Sequence, residues 1–527
     1  MMRRTGVFYL AMVAALIGII FRVFWLSIGE NAVRAEAVMA NRESEIILYR
    51  TKGLIYDENL NPLAGNQPCW YLLVDPRNFQ SDNLDLLIEM TESNREQVQN
   101  KLKKETPFVL KTKTDPKALP GVQVFEGVDR YCGLASHLLG YLDSAGEVGL
   151  SGVEKEYNEF LNLFSSSVCV SYNSDALHGA ISGLGVEAVE AETSENGLVL
   201  TLNKEICEVL DQSMENYIEK GAAIVMDCKT GAIKAVSSMP DFDADAVSSY
   251  LDSGEGELIN RAFSSQTVGS VFKIILAACA LENGMEDFLY TCNGGIVIND
   301  RTFACHNHDG HGEIGLQEAF AQSCNAYFIA LGQLLGYDSI AEMAERFGYG
   351  SSITILDSMK TSTGNFPVKS SNLALANLSI GQGELMASPM QIAMMTAIIA
   401  NGGILPDVHL YNGIYLNGKL KANTENTEEK RVISAEHAEM LRQFCVYTVE
   451  EGTGKSAKPS SGSAGGKTSS AQTGVIVNGV EKLNVYFTGF YPAENPEYVI
   501  TVFAEGGESG GKTCGPVFRE VCDFLAS

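Results

Sequence analysis

An apolar run near the amino terminus constrains this chain more than any other feature of its sequence. Residues 6–21 are almost uninterruptedly apolar, and residues 23–28 extend the run past Arg22. The total of about 23 residues is enough for a helix to cross a bilayer. A cleaved signal peptide is the alternative, but the run is long for one and no small-x-small cleavage site closes it directly. The sequence therefore favours an uncleaved membrane anchor.

Charges around this run predict its orientation. Arg3 and Arg4 precede it, which predicts a cytoplasmic amino terminus and places everything after residue 30 outside the membrane. Arg22 is expected to snorkel to the outer face. The net charge of -27 argues against nucleic acid or an anionic membrane surface as the main partner, because such partners are bound through Lys and Arg.

The length of 527 residues, with 45% hydrophobic and 20% charged residues, is typical of a globular protein of two or three domains. The composition changes near Gly197, where strand-like LVLTLN is followed by a helical segment, a hairpin, a long helical middle and terminal strands. This order predicts an α+β domain with a sheet flanked by helices. We divide the chain into an anchor (1–30), a small mixed domain (31–195) and a larger domain (196–527).

The twelve cysteines are scattered singly, so the chain is no disulfide-stapled scaffold. Cys292 and Cys305 flank a hairpin-like stretch and could pair. His306, His308 and His311 follow Cys305 closely, but the spacing fits no zinc template with two clean pairs. The sequence therefore predicts neither a metal site nor an organic cofactor.

The stretch VGSVFKIILAACALENG, residues 268–284, combines a turn at Gly269 with an apolar helix over residues 271–281. The one charge within residues 271–281 is Lys273, about one helical turn after Ser270, with side-chain roots roughly 5–6 Å apart. Burial disfavours the ammonium form, and a neutral amine could act as general base toward the hydroxyl. This pairing predicts the chemistry of a serine acyl transferase.

The simpler interpretation is that Ser270 caps a helix and Lys273 snorkels from its first turn. The chain contains its own comparison in Ser509 and Lys512, which have the same spacing. Two glycines separate that second pair, and they cannot hold a helical register between hydroxyl and amine. Only the first copy is expected to work as a pair.

Two further motifs supply what such a pair needs, a proton path and groups that hold the substrate. Ser323 and Asn325 stand between the helical stretches LQEAFAQ and AYFIALGQLL, where a turn could aim both into a cleft. Residues 467–470, KTSS, follow a Gly/Ser-rich loop and begin a strand. The literal spellings elsewhere are weaker candidates, because Ser81-Asp82-Asn83 fits a helix start and Lys229-Thr230-Gly231 a hairpin tip.

The ordered set Ser-x-x-Lys, Ser-x-Asn and Lys-Thr-x resembles the penicillin-interacting serine enzymes. The likeness is closest to the class B penicillin-binding proteins, the monofunctional peptidoglycan D,D-transpeptidases. It extends to RTKGLIYDENLNPLA and GLSGVEKEYN, typical of their pedestal (dimerisation-like) domain, and to SIGQGELMASPMQIA, GGKTSSAQTG and VYFTGFYP of their transpeptidase domain. The resemblance implies a pedestal over residues 31–195 and a transpeptidase domain over 196–527, an antiparallel sheet flanked by helices with an all-helical subdomain.

The resemblance also implies roles for the catalytic residues. Ser270 is expected to be the acylated nucleophile and Lys273 its base. Ser323 is expected to relay a proton to the leaving amine, and Asn325 to bind the backbone of the donor peptide.

The third motif is expected to hold the substrate. Lys467 sets the local potential, and Thr468 and Ser470 hold the terminal carboxylate. The backbone N–H groups of Ser270 and Ser470 form the oxyanion hole, where each donor contributes about 3 kcal/mol. Ser469 takes the position of the family's usual Gly and, if its hydroxymethyl group points into the groove, acylation by bulky β-lactams is slowed. The pedestal is also short for this class.

Three rival functions share parts of this pattern. A P-loop NTPase is disfavoured because Ser461 and Val449 occupy the positions of its required Gly. A membrane-anchored β-lactamase or β-lactam-binding sensor shares the motifs, but a hydrolase needs no pedestal and the anchor leaves no room for a cytoplasmic signalling part. A catalytically silent scaffold is disfavoured by the intact motif set.

The sequence therefore predicts a single-pass bacterial membrane protein whose outer domain crosslinks peptidoglycan with release of terminal D-Ala. Its expected partners are stem peptides, β-lactam antibiotics and a membrane glycosyltransferase. The alternatives of cell elongation, division and sporulation stay open.

Overall fold

The structure, a computed structural model, describes residues 2–28, 43–104, 106–173, 187–189, 194–423, 429–477 and 479–527. The chain divides into two compact units, neither of them continuous in sequence. The first comprises Met1–Lys52, Asn66–Arg130 and Ser165–Ser194, and the second comprises Gly53–Gly65, Tyr131–Phe164 and Glu195–Ser527. The predicted small domain, residues 31–195, thus contributes segments to both units.

The amino-terminal apolar run forms one long helix, Met2–Ile28. Its segment Gly6–Trp25 is long and apolar enough to cross a membrane, with a mean hydropathy of 2.4. Large side chains along it, such as Phe8 and Leu10, are largely exposed. The helix fits the predicted single-pass anchor.

The first unit also contains a small mixed fold of strands and short helices. Its elements are the strands Glu43–Thr51, Pro62–Val74, Phe108–Thr112, Val122–Tyr131, Ser166–Asn173 and Glu187–Val189, the 3-10 turn Ser81–Asn83, and the helices Leu84–Thr91 and Arg95–Leu102. The strand Pro62–Val74 begins, and Val122–Tyr131 ends, within the second unit. Successive residues of a strand face opposite ways, so Leu72 packs in the cluster of Leu87 and Val98 whereas Tyr71 packs with Val170.

The second unit is built around an antiparallel five-stranded sheet. In spatial order its strands are Ile233–Met239, Gly221–Asp227, Tyr498–Glu505, Val480–Tyr491 and Gly465–Val477. On one face, Thr488 bonds Thr396 of a helix at an Oγ1–Oγ1 distance of 2.7 Å. On the other face, the ring of Phe487 lies 4.6 Å from that of Phe518. Helices therefore cover both faces of the sheet, and the predicted α+β class is confirmed.

Helices make up much of the rest of the second unit. The longer ones are Lys204–Tyr217, Lys273–Glu282, Leu316–Ala321, Asn325–Arg346, Asn372–Ser379, Pro389–Ala400, Ala435–Glu450 and Gly515–Leu525, and the shorter ones are Ser136–Leu139, Gly152–Glu156 and Asn158–Asn162. Lys273–Glu282 is the apolar helix expected from the sequence, and its residues are buried up to Leu281. It packs against Asn325–Arg346, which brings the first two motifs together.

Short strands and turns complete the second unit. The strands are Leu54–Tyr56, Gly197–Leu200, Gln266–Thr267, Tyr290–Cys292, Gly295–Ile298, Arg301–Ala304, Gly312–Ile314, Thr354–Leu356, Met359–Lys360, Met386–Ala387, Ile404–Leu405, Tyr411–Leu416, Lys419–Ala422 and Lys430–Arg431. The turns of 3-10 or π-helix are Val247–Ser249, Gly269–Phe272, Lys455–Ala457 and Gly510–Cys514.

The RTKGLIYDENL segment has a structural role in the second unit. The buried carboxylate of Asp57 accepts hydrogen bonds from the backbone N–H groups of Asn61, at 2.7 Å, and of Lys204, at 3.0 Å. Lys204 opens the helix Lys204–Tyr217, and a carboxylate at a helix amino terminus is stabilised by the helix dipole. The neighbouring Glu58 pairs with Lys234.

Candidate active site

Ser270 lies in the nucleophile turn, Gly269–Phe272, a 3-10 turn that leads into the helix Lys273–Glu282. Gly269 has a φ of 65°, and its N–H donates to the carbonyl oxygen of Gly381 at 2.8 Å. A Cβ on Gly381 would lie 1.9 Å from the oxygen of Gly269, so both positions need glycine. This close approach explains why the SIGQG segment belongs to the site.

Lys273 is fully buried beneath the turn, and its amine contacts the second motif. Its Nζ donates to the backbone oxygen of Ser323 at 2.7 Å, to Oδ1 of Asn325 at 2.8 Å and to Oγ of Ser323 at 3.2 Å. Burial lowers the pKa of Lys273 from 10.5 to about 8. A substantial neutral fraction near pH 8 makes the amine a competent general base.

Within the described residues, the expected hydrogen bond between the Ser270 hydroxyl and the Lys273 amine is not formed. Among the residues that the structure describes, the hydrogen bonds of the Lys273 amine all go to residues 323–325, the Ser-x-Asn turn. Catalytic hydrogen bonds are often long before substrate binds and tighten only in the reacting complex. The first two motifs are therefore joined through the hydrogen bonds of Lys273. Ser270 borders the cleft.

The Ser-x-Asn turn is conformationally strained. Ser323 has a φ of 53°, a left-handed conformation that costs a non-glycine residue about 1–3 kcal/mol. The turn is held by the N–H of Cys324, which donates to the oxygen of Ala319 at 2.9 Å, and by Asn325 Nδ2, which donates to the oxygen of Ala304 at 3.2 Å. In this backbone conformation, Ser323 lines the cleft.

The third motif begins the strand Gly465–Val477, which lies at the edge of the sheet beside Val480–Tyr491. Lys467 is fully buried, and its Nζ lies 5.6 Å from the centre of the Phe320 ring. Burial, and after it the charge of Lys273, hold the pKa of Lys467 well below its usual 10.5. Burial therefore disfavours the ammonium form of both lysines.

A cleft of about 450 Å³ opens above the two lysines. It is lined by Ser270, His306, Ser323, Asn325, Thr453, Ser456, Thr468, Ser469, Ser470, Ser509, Gly510, Gly511 and Lys512. All three predicted motifs thus border one cavity. Ser270 and Ser470, whose backbone N–H groups are the predicted oxyanion donors, both lie on it.

Ser469 departs from its predicted role as a substrate contact. Its hydroxyl is buried, with 2% of the residue exposed, and donates to the backbone oxygen of Val268 at 2.8 Å. Alternation along the strand turns Ser469 to the same side as buried Lys467. The hydroxyl is therefore directed at Val268 and not into the groove, so the condition on which slower acylation was expected is not met. The hydroxyl ties the edge strand to the residue before the nucleophile turn.

We expect Ser469→Gly to destabilise the protein instead of widening the cleft. The change removes a buried hydrogen bond to the Val268 carbonyl, and such a bond contributes about 0.5–1.5 kcal/mol to stability. The measurement is the unfolding free energy, compared with that of Ser469→Ala, which loses the same bond without glycine's added flexibility. If Ser469→Gly instead accelerated acylation by bulky β-lactams at unchanged stability, the groove-narrowing interpretation would be restored.

The literal motif copies lie elsewhere, with one exception. Ser81 begins a 3-10 turn in the first unit, and the carboxylate of Asp227 caps the hairpin turn at Lys229. The second Ser-x-x-Lys copy, at Ser509, borders the cleft. Its hydroxyl accepts from the N–H of Lys512 at 3.3 Å, and the amine of Lys512 pairs with Glu508, so hydroxyl and amine do not form a catalytic pair.

Sequence reasoning missed part of the cleft wall. Gly510 and Gly511 line it together with Thr453 and Ser456. A Cβ on Gly510 would lie 2.0 Å from the oxygen of Tyr486, so this glycine allows the wall to pack against the sheet. The Gly-rich run was the available signal. The Thr453 hydroxyl bonds that of Thr468 at 2.6 Å, a pairing that no sequence spacing indicates.

Four potential metal ligands converge behind the Ser-x-Asn turn. The thiols of Cys292, Cys305 and Cys324 and a ring nitrogen of His311 lie within 4.8 Å of one another. Cys292 and Cys305, which could have paired, do not form a disulfide. The Sγ atoms of Cys305 and Cys324 are 3.9 Å apart, and this contact lowers the pKa of Cys305 and raises that of Cys324.

The sequence and fold are similar to known proteins. Residues 221–523 match the family described as "Penicillin binding protein transpeptidase domain", and residues 49–175 match "Penicillin-binding Protein dimerisation domain". The chain is 25% identical to the peptidoglycan D,D-transpeptidase MrdA of Acinetobacter baumannii, over 89% of this chain and 80% of that protein. It is 29% identical to stage V sporulation protein D of Bacillus subtilis, over 89% and 77%.

A solved structure has the same fold. The penicillin-binding protein PBP2 of Helicobacter pylori, in its complex with MreC, superposes with a TM-score of 0.64 at 22% identity, covering 92% of this chain and 98% of that chain. The fold is thus shared with a protein of low sequence identity.

Proposed function

The chain belongs to the class B penicillin-binding proteins, and on this basis we propose that it is a peptidoglycan D,D-transpeptidase that acts through an ester on Ser270. The observation that carries the assignment is the buried amine of Lys273, which is bonded to Ser323 and Asn325 beneath the cleft that Ser270 borders. This arrangement provides a nucleophile, a base and a proton path within one site.

Acylation begins when the Ser270 hydroxyl attacks the carbonyl between the two terminal D-Ala residues of a stem peptide. The neutral amine of Lys273 takes the hydroxyl proton, and the carbonyl becomes an oxyanion. The N–H groups of Ser270 and Ser470 stabilise that oxyanion by about 3 kcal/mol each. Collapse of the intermediate breaks the C–N bond, and terminal D-Ala leaves with a proton.

Ser323 delivers the proton to the leaving amine. Its Oγ lies 3.2 Å from the Lys273 amine, which holds the proton taken from Ser270. A hydroxyl can accept one proton while it donates another, so Ser323 passes the proton on without becoming charged. We assign to Asn325, whose Oδ1 accepts from the same amine, the binding of the donor backbone through the second N–H of its amide.

The acyl group then passes to a second stem peptide. An amine of a neighbouring strand attacks the ester, loses a proton to Lys273 by the reverse path, and regenerates the Ser270 hydroxyl. The edge strand offers its outer backbone groups to an extended peptide, a common mode of peptide recognition. Thr468 and Ser470 hold the terminal carboxylate, and Lys467 beside Thr468 sets the local potential.

The helix Met2–Ile28 anchors the protein, with Arg3 and Arg4 on the cytoplasmic side and the catalytic domain outside the cell membrane. Membrane tethering places the cleft where glycan strands are assembled, which is the reason to expect a membrane glycosyltransferase as partner. For the Helicobacter pylori relative, a complex with MreC is known. Surfaces of that kind are candidates for partner binding in this chain as well.

The function is tested with the full-length protein in detergent and uncrosslinked glycan strands whose stems end in D-Ala-D-Ala. We expect crosslinked dimers that lack one D-Ala, together with released D-Ala, by mass spectrometry after glycan digestion. Release of D-Ala without dimers would assign the protein as a hydrolase. No release at all, with no reaction toward benzylpenicillin, would assign it as a silent scaffold.

A further inference from the structure

The cluster of Cys292, Cys305, His311 and Cys324, here called the thiol cluster, is assembled from separate elements. Cys292 ends the strand Tyr290–Cys292, Cys305 follows Arg301–Ala304, and His311 precedes Gly312–Ile314. Backbone bonds fix these ends, because the N–H of His311 donates to the oxygen of Cys292 at 3.0 Å and that of Cys305 donates to Gly294 at 2.9 Å. These backbone hydrogen bonds thus hold the ligand residues close together.

The spacing of the ligand atoms fits tetrahedral zinc. Two sulfurs bound 2.3 Å from one Zn²⁺ at a tetrahedral angle are about 3.8 Å apart. The Sγ atoms of Cys305 and Cys324 are 3.9 Å apart, and Sγ of Cys305 lies 3.6 Å from Nδ1 of His311. The remaining ligand atoms lie within 4.8 Å, so a small contraction completes the tetrahedron.

The donor set also has the composition of a structural zinc site. Three thiols and one imidazole form a closed four-ligand set that leaves no open position, and soft thiolates select zinc over magnesium or calcium. All three cysteines are buried. The N–H of Tyr327 donates to Sγ of Cys324 at 3.5 Å, an outer hydrogen bond of the kind that supports a thiolate ligand.

We propose that the thiol cluster binds one Zn²⁺, which fixes the Ser-x-Asn turn in its catalytic conformation. Cys324 is the middle residue of that turn, between two residues that both bond the Lys273 amine. A metal–sulfur bond at Cys324 holds the left-handed backbone of Ser323 from behind. The ion has a positioning role, and no chemical step passes through it.

The ligands of the thiol cluster are dispersed along the chain. Cys305 and His311 are close in sequence, but their separation fits no paired template. Cys292 comes from an earlier strand and Cys324 from the catalytic turn itself. His306, the nearest sequence candidate, borders the cleft instead. A site whose ligands come from four separate places in the fold leaves no compact signature in the chain.

Metal analysis of the full-length protein, purified in detergent without chelator, tests the proposal. We expect one zinc per chain, and a thiolate-to-metal absorption band when Co²⁺ replaces it. Cys292→Ser and His311→Ala are expected to lose the metal. Two matched control variants, Cys207→Ser and His308→Ala, are expected to keep the metal. Cys207 is a buried cysteine of the helix Lys204–Tyr217. This readout needs no activity, so it stands apart from the transpeptidase assignment.

The positioning role is tested by removing the metal with a chelator and measuring acylation by benzylpenicillin. A displacement of about 1 Å at a reacting group costs about 100-fold in rate, so we expect the acylation rate constant to fall by that order and to recover with added Zn²⁺. The dissociation constant of the initial drug complex and the circular dichroism spectrum should change little.

Three outcomes would overturn the proposal. One is metal-free protein with a Cys305–Cys324 disulfide, seen as a loss of two hydrogens in the intact mass before reduction. Another is zinc that stays bound in both cluster variants. The third is an acylation rate that chelation leaves unchanged, which would refute the positioning role.

Discussion

Ser270→Ala is expected to abolish the covalent adduct with benzylpenicillin and the release of D-Ala. Ser270 borders the cleft and lies in the turn that leads to the buried Lys273. Alanine has no side-chain oxygen that could form the ester. Loss of a serine nucleophile reduces turnover by about 10⁶-fold in a well-studied protease, and we expect an effect of that order here. The measurement is intact-mass spectrometry of the full-length protein after drug treatment, which should show one drug mass on the wild type only.

A matched serine variant makes the result specific. Ser264 precedes the nucleophile turn, and its hydroxyl donates to the backbone oxygen of Asn260 at 2.7 Å, away from the cleft lining. Ser264→Ala should keep the adduct. An adduct that persists in Ser270→Ala would show that another residue is acylated, and peptide mapping would then identify it. Rapid destruction of the drug by wild type without an adduct would favour a β-lactamase.

Lys273→Met is expected to slow acylation by about 10²–10⁴-fold, the range of a lost general base. Methionine fills a similar volume in the apolar surroundings, so the helix should remain packed. The measurement is the rate constant of benzylpenicillin acylation under single-turnover conditions, with circular dichroism as the control for folding. A variant that acylates at the wild-type rate would exclude Lys273 as the base.

The pH dependence distinguishes a base from a structural lysine. The pKa of Lys273 is lowered to about 8, and only the neutral amine accepts a proton. Below pH 8 the neutral fraction falls about tenfold per pH unit, so the wild-type rate should rise with pH and level off above 8. The rate of Lys273→Met should be flat over this range. A wild-type rate that falls as pH rises would contradict the assignment.

Much of this site could be predicted from the sequence, because its motifs sit on elements with strong local patterns. Hydrophobic periodicity and turn-forming residues predict three elements, and the structure contains them. They are the apolar helix after Ser270, the turn at Ser323 between two helices and the strand that contains Lys467. The contacts that join them are tertiary. The direction of the Lys273 amine depends on helix packing, and the direction of Ser469 depends on the register of an edge strand against a turn.

The thiol cluster and the division into units could not be predicted in this way. Patterns in sequence report on neighbours along the chain, whereas Cys292 and Cys324 meet only after strand and helix have packed. Likewise, Gly53–Gly65 joins the second unit through the buried Asp57, although local composition groups it with the adjoining residues of the first unit. Long-range assembly is not encoded in local patterns.

Hydrogen bonds on either side of Ser270 connect both walls of the cleft to the same short segment. The edge-strand wall is tied to the oxygen of Val268 through Ser469, and the opposite wall, at the Ser-x-Asn turn, is tied to the amine of Lys273. Both attachments fall within residues 268–273. Separation of the two walls would therefore strain or break one of these bonds. We therefore expect the width of the cleft to change little when a peptide or a drug binds.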